Sequence, residues 1–168
     1  GIKFVALRGN ASGYGASTHR NIGKLDISGA AQRAVKLAAS NAHAKPIRPG
    51  RYDCILEPEA VAELLEWLGY IGFNAKGFSE HSSFMSGRMG ERIMGRHVTI
   101  ADEPLHPEML ATPFDYEGVP KRKVVLIERG IAKNIVYDSD YAALYKQPST
   151  GHALPYDDNS GPGPMHLT

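Results

Sequence analysis

The chain has one cysteine, Cys54, so no internal disulfide can form, and it suits a reducing compartment. It has one tryptophan. It lacks any apolar run near the ~20 residues of a membrane helix. No signal peptide is visible, since Gly1 leads straight into Ile2-Lys3-Phe4-Val5. It also lacks a dominant charge. Nineteen basic and eighteen acidic residues leave a net charge of +1, without the electrostatic footprint of a nucleic-acid or anionic-membrane binder. The seven histidines, His19, His43, His81, His97, His106, His152 and His166, show no pair at metal-ligand spacing and read as surface or loop residues. No serine sits in a Gly-x-Ser-x-Gly elbow, and nothing in the sequence ties Ser82, Ser83, Ser86, Ser149 or Thr150 to a base.

What is present is an ordinary globular composition, 42% hydrophobic and 22% charged over 168 residues. That suits one domain, or one and a fraction. Residues 2–8 and 14–19 read as a hairpin around the turn signal Gly9-Asn10-Ala11-Ser12-Gly13. Gly9, Gly13 and Gly15 match neither the dinucleotide fingerprint nor the P-loop. Asp26 is placed to cap a helix running to about Ser40, with Ile27, Ala30, Ala31, Ala34, Val35 and Ala38 on one stripe. Residues 41–49 connect it to the most structured stretch, 49–68. There Tyr52, Cys54 and Leu56 alternate as in a half-buried strand, which would bury the thiol. Val61, Leu64, Leu65 and Leu68 then share one helix face, and Pro58 sits in the helix's first turn. Further expectations are a short helix at 82–88, a strand at 97–101 and a loop at 102–113. A hairpin of 121–127 and 131–137 turns at Glu128-Arg129-Gly130, a helix spans 139–145, and loop follows from Gln147. The fold class expected is α+β, with mixed or antiparallel sheets, two packed helices and a β-rich second half.

Several segments, taken in order, resemble the TldD/PmbA proteins, a family of metallopeptidases also known as modulators of DNA gyrase. They are Arg51-Tyr-Asp-Cys-Ile-Leu-Glu-Pro-Glu-Ala-Val-Ala-Glu-Leu-Leu, Ser86-Gly87-Arg88-Met89-Gly90-Glu91, and Val98-Thr99-Ile100 with Asp102. Phe114-Asp115-Tyr116-Glu117-Gly118-Val119-Pro120, Val125-Leu126-Ile127-Glu128 with Gly130, and Ser149-Thr150-Gly151 complete the set. Family members are longer on both sides. The resemblance implies an internal piece of a larger protein: residues 1–45 ending an N-terminal domain, and 46–168 forming part of the C-terminal one.

Catalytic family members carry His-Glu-x-x-x-His on the helix equivalent to 58–68, where two imidazoles hold zinc and the glutamate takes a proton from metal-bound water. Here those positions hold Pro58, Glu59 and Glu63. Only the glutamate is kept, and Pro58 has no donor atom to offer. The bland alternative for Glu59, Glu63 and Glu66 is a solvated helix face. The resemblance also gives Asp115, Glu117 and Gly118, and Arg88 and Glu91, a place near a substrate cleft; turn chemistry is the alternative for the former. It thus implies a PmbA-like, zinc-free, cytoplasmic subunit with no catalytic residue, metal or cofactor of its own. It would be a dimer when full length, partnered by a TldD-like zinc-bearing subunit, and would act on peptides or small unfolded proteins. Neither nucleic acid nor membrane is an expected partner. The alternatives are an active metallopeptidase with ligands outside this chain, and a binding protein modulating DNA gyrase or its inhibitors.

The charge balance generates a first prediction. Phosphate contacts make affinity fall steeply with salt. The chain is therefore expected to give no salt-sensitive shift of a short DNA duplex at physiological ionic strength, and tight, salt-sensitive binding would contradict it.

Overall fold

A computed structural model describes residues 1–155 and 161–168, and they form two compact units, Gly1–Cys54 and Ile55–Thr168. The class is α+β as expected, with both sheets antiparallel.

In the first unit, β1 (Ile2–Arg8) and β2 (Ala11–Ser17) pair in strict register from Ile2↔Ser17 to Arg8↔Ala11. Gly9 opens the two-residue turn with φ +59, the left-handed conformation a II′ hairpin turn needs at that place. Helix α1 (Ile27–Asn41) starts where Asp26 accepts the Gly29 N–H at 2.8 Å, and it lies on the hairpin. Ala30, Ala34 and Ala38 are its buried residues. The reason for the small residues is backbone proximity. A Cβ on Gly13 would stand 2.1 Å from the Ala34 carbonyl oxygen, and one on Gly15 would stand 2.0 Å from that of Ala30. These glycines serve helix–hairpin packing.

In the second unit, α2 (Pro58–Gly72) is followed by α3 (Ala75–Ser79), with β3 (Ile100–Asp102), β4 (Val124–Glu128) and β5 (Ile131–Ala132) in the order β3-β4-β5. Helix α4 (Ser139–Tyr145) is capped by Asp138, which accepts the Tyr141 N–H. The core gathers Phe73, Met85, Ile100, Leu126, Ile127 and Val136. The β4–β5 turn is Arg129-Gly130, both at positive φ (49 and 81). Arg129 holds this strained conformation because Thr99 Oγ1 accepts its N–H and Arg92 donates to its carbonyl.

Four local expectations need correction. Residues 51–57 are irregular, not a strand, and Ile55 is 97% exposed. Alternation alone cannot form a strand, and among the described residues no neighbouring strand pairs with it. Cys54 is consequently exposed. On α2, Leu65 and Leu68 reach the core, but Val61 and Leu64 are exposed. The packed side is instead the glycine side. A Cβ on Gly72 would lie 2.0 Å from the Phe84 ring, and one on Gly69 would lie 3.0 Å from Leu167. Residues 82–88 form turns, fastened by Ser83 Oγ donating to the Gly72 carbonyl at 2.6 Å. The expected loop from Gln147 holds for what is described, and residues 156–160 lie outside the described residues.

Gly15→Ala is expected to push α1 off the hairpin and cost about 1–3 kcal/mol or more, the range of core overpacking. Hydrogen exchange at the Ala34 and Ala38 amides reads this. Unchanged protection would contradict the close-approach account.

Candidate functional site

The sequence-marked positions on α2 do not converge. Pro58 opens the helix and Glu63 is exposed, while Glu59 is partly buried in the first turn. Among the described residues, no group of three or more His, Cys, Asp or Glu side chains comes together as a metal site. Of the three motif positions, Pro58 offers no donor atom and the other two offer carboxylates in place of imidazoles. Arg88 and Glu91 form an exposed ion pair at 3.3 Å on a loop whose Gly90 N–H bonds to the Ala132 carbonyl.

A polar cluster forms instead where β3 ends. Asp102 is fully buried. Its Oδ1 lies 2.9 Å from His152 Nε2, and its Oδ2 accepts the N–H groups of Met165 and His166, each at 2.7 Å. Residues 166–168 lie beside β3, with two bonds between Ala101 and Thr168 at 3.1 and 2.9 Å. His152 Nδ1 faces the Thr150 carbonyl and Oγ1, both at 2.9 Å. Burial opposes ionisation of Asp102. The His152 hydrogen bond, the His166 N–H and the charges of His152 and Lys121 outweigh that and bring its carboxyl below the ordinary 3.8. Thus His152 and His166 are not surface histidines. Both stand on irregular segments, and folding buries them.

The order Thr150, His152, Asp102 has the outline of a nucleophile, base and orienting acid. It cannot act as one in this geometry. Thr150 Oγ1 donates to the Tyr137 carbonyl at 2.9 Å and accepts the Tyr137 N–H at 2.7 Å. His152 and Asp102 are both at 0% exposure, so no substrate reaches the ring. The cluster ties loops together. Ser149 Oγ accepts the Gly151 N–H and donates to the Tyr137 carbonyl, again a fastening.

Next to this cluster lies a surface cavity of about 170 Å³, lined by Thr112, Phe114, Tyr116, Lys121, Ala153 and Met165, with Asp115 at its wall. Asp115 holds its loop closed: Oδ1 accepts the Glu117 and Val119 N–H groups, and Oδ2 accepts that of Ala153 at 2.9 Å. Glu117 accepts the Ser139 N–H at 3.1 Å and so joins the loop to the start of α4. The turn-chemistry reading of Asp115 thus holds, and the same turn also shapes the cavity. Lys121 is only 9% exposed. Burial pushes its ammonium below the ordinary 10.5, while Asp102 and Asp115 pull the other way. Sequence reading gave Lys121 and His152 no place in a site and quoted Asp102 only within a family segment. The only signal for Lys121 was its place after the Phe114–Pro120 segment, where it reads as the solvated first residue of a strand.

Removing Asp102's charge tests the cluster. Asp102→Asn leaves His152 and two backbone N–H groups short of their carboxylate, and breaking such a buried pair costs roughly 3–5 kcal/mol. Because the folded-state pKa lies below the unfolded one, the charge's contribution is complete above pH 3.8 and is lost as pH falls through the lower folded-state value. The stability gap between wild type and Asp102→Asn, followed in urea by Trp67 fluorescence, is expected to be widest near neutrality and to close toward pH 2. A gap independent of pH would refute this.

Residues 49–168 match the PmbA/TldA metallopeptidase C-terminal domain. The chain is 34% identical over 113 residues to a zinc metalloprotease TldD homolog of Saccharolobus solfataricus, covering 63% of this chain and 24% of that one. Its fold resembles a candidate modulator of a DNA gyrase from Thermotoga maritima, with TM-score 0.84, 27% identity and coverage of 96% of this chain and 37% of that one. TldE from Thermococcus kodakarensis gives TM-score 0.72 at 26% identity, covering 97% and 38%. The chain spans about a third of the length of the curated relatives that it matches over most of itself. With 49–168 matched, the chain belongs to the PmbA/TldD metallopeptidase family.

Proposed function

We propose that the protein is a PmbA-like, zinc-free subunit of a TldD/PmbA-type peptidase system that handles peptides or small unfolded proteins. One observation carries this reading. Helix α2 keeps its proline start and its packing against Phe84 and Leu167, while the motif positions are Pro58, Glu59 and Glu63, a set that cannot hold zinc tightly. A scaffold that keeps its packing without its metal ligands suits a supporting half, with the chemistry supplied by a TldD-like partner. The similarity to TldE and to a TldD homolog supports membership of such a pair. In this reading the N-terminal segment passes into the C-terminal domain near residue 45, and the assembly is a dimer of related subunits.

No helix among the described residues is long and apolar enough to cross a membrane. A cytoplasmic setting is part of the proposal and rests on the single cysteine. Action on DNA gyrase is the weaker reading, because the charge balance offers no footprint for nucleic acid.

Full-length protein alone is expected to cleave no unfolded peptide and to keep no stoichiometric zinc after dialysis. Mixed with a zinc-bearing TldD-like subunit, it is expected to co-migrate and to yield cleavage. Metal-dependent cleavage by the protein alone, abolished by Glu59→Gln, would overturn the proposal in favour of an active peptidase.

A further inference from the structure

The cavity beside Lys121 has a surplus of hydrogen-bond donors. The ammonium carries three N–H bonds. Among the described residues it makes no hydrogen bond or ion pair; the residue is nine-tenths buried along its stem, while Nζ is not closed off from solvent and lies at the cavity. The two carboxylates that attract it have given their oxygens to other donors. Asp102 serves His152, Met165 and His166, and Asp115 serves Glu117, Val119 and Ala153. They supply a compensating field without taking the ammonium's protons. Because Nζ is open to the cavity, water meets it when the cavity is free and a ligand oxygen can take that place when it is filled.

The rest of the lining is apolar and reachable. Phe114, Tyr116 and Met165 are 62%, 66% and 54% exposed and form the rim. The backbone nearby has little left to offer, since Tyr116 N–H bonds to the Ala153 carbonyl and Met165 N–H to Asp102. A ligand matching this wall has an acceptor oxygen next to an apolar group, in about the space of one amino-acid residue. A second cavity of about 160 Å³ shares Met165 with the first and is lined by Gly69, Tyr70, Leu154, Pro162 and Pro164, with Glu66 and Asn74 at its edge. Two small, mostly apolar pockets meeting at one methionine suit successive side chains of an extended segment, and the flexible thioether adapts to either.

We propose that this double pocket binds the C-terminal end of a peptide. Lys121 donates to an oxygen of the last residue. Phe114, Tyr116 and Met165 hold its apolar side chain, and a preceding side chain rests against Leu154 and Pro164. The inference rests on the peptide-handling reading above and assigns it a subsite. The oxygen is either the terminal carboxylate or a main-chain carbonyl; both accept from an ammonium, and the ligands below separate them.

The test uses the 168-residue chain, with ¹⁵N-labelled amides and ¹³C-labelled methionine methyl groups. The probes are N-acetyl-Ala-Leu as the free acid and as its C-terminal amide. Saturable shifts are expected at the Met165 methyl and the Ala153 amide, and Lys121→Met should weaken binding at least tenfold. Free acid preferred over amide identifies the carboxylate. Equal binding, equally lost in Lys121→Met, identifies the carbonyl. No saturable shift at millimolar peptide, or unchanged affinity in a folded Lys121→Met, overturns the proposal. Should Lys121→Met fail to fold, Phe114→Ala and Tyr116→Ala at the exposed rim replace it, and unchanged affinity in both overturns it as well. Failure to pair with a TldD-like subunit would leave these shifts intact, so the two readings fail separately.

Discussion

The second unit depends on one buried carboxylate. Asp102 ends β3 and faces no water, so its charge is tolerable only because every oxygen is occupied. Its partners come from segments 50 and more residues away: the His152 ring and the backbone of Met165 and His166. Among the described residues neither segment forms a strand or helix of its own, and only 166–168 adds a short backbone pairing with β3. The carboxylate therefore does what a further strand or helix would do elsewhere, fixing two irregular stretches against the sheet. Through His152 the same fastening reaches Thr150, and from there the Tyr137 backbone just ahead of α4.

The chemistry of the cavity follows from that arrangement. Asp115 pins the 114–120 loop to Ala153, one residue beyond His152, so both carboxylates stabilise the same region. Lys121 is left between them with charge balance but no bonding partner among the described residues. Lysine carries a point charge on a flexible stem and loses its proton more readily when buried, so its place here is chemically different from that of the exposed Lys123, paired with Glu103 at 2.6 Å. On helix α2, by contrast, Pro58 opens the first turn and the carboxylates of Glu59 and Glu63 follow.

Much of the fold was legible in the sequence because local signals carried it. Asp26 and the alanine stripe give α1, Gly9 the first hairpin, and Glu128-Arg129-Gly130 the second. The strand at 51–57 misled because alternation reports a preference that needs a partner strand to be realised. The leucines of α2 misled because periodicity names a face without saying what lies opposite. Here Gly69 and Gly72 allow the close contact, while Leu64 and Val61 stay outside.

By itself, then, the sequence determined the α+β class, the turns, the cap at Asp26 and the balanced charge, since each depends on composition or on residues close together in the chain. Only the tertiary structure decided that Asp102, His152 and His166 form a buried cluster, and that Lys121 lines a cavity beside it. Those pairings join residues about 20 to 60 positions apart. No spacing rule encodes them, because burial and hydrogen-bond satisfaction are properties of the packed chain.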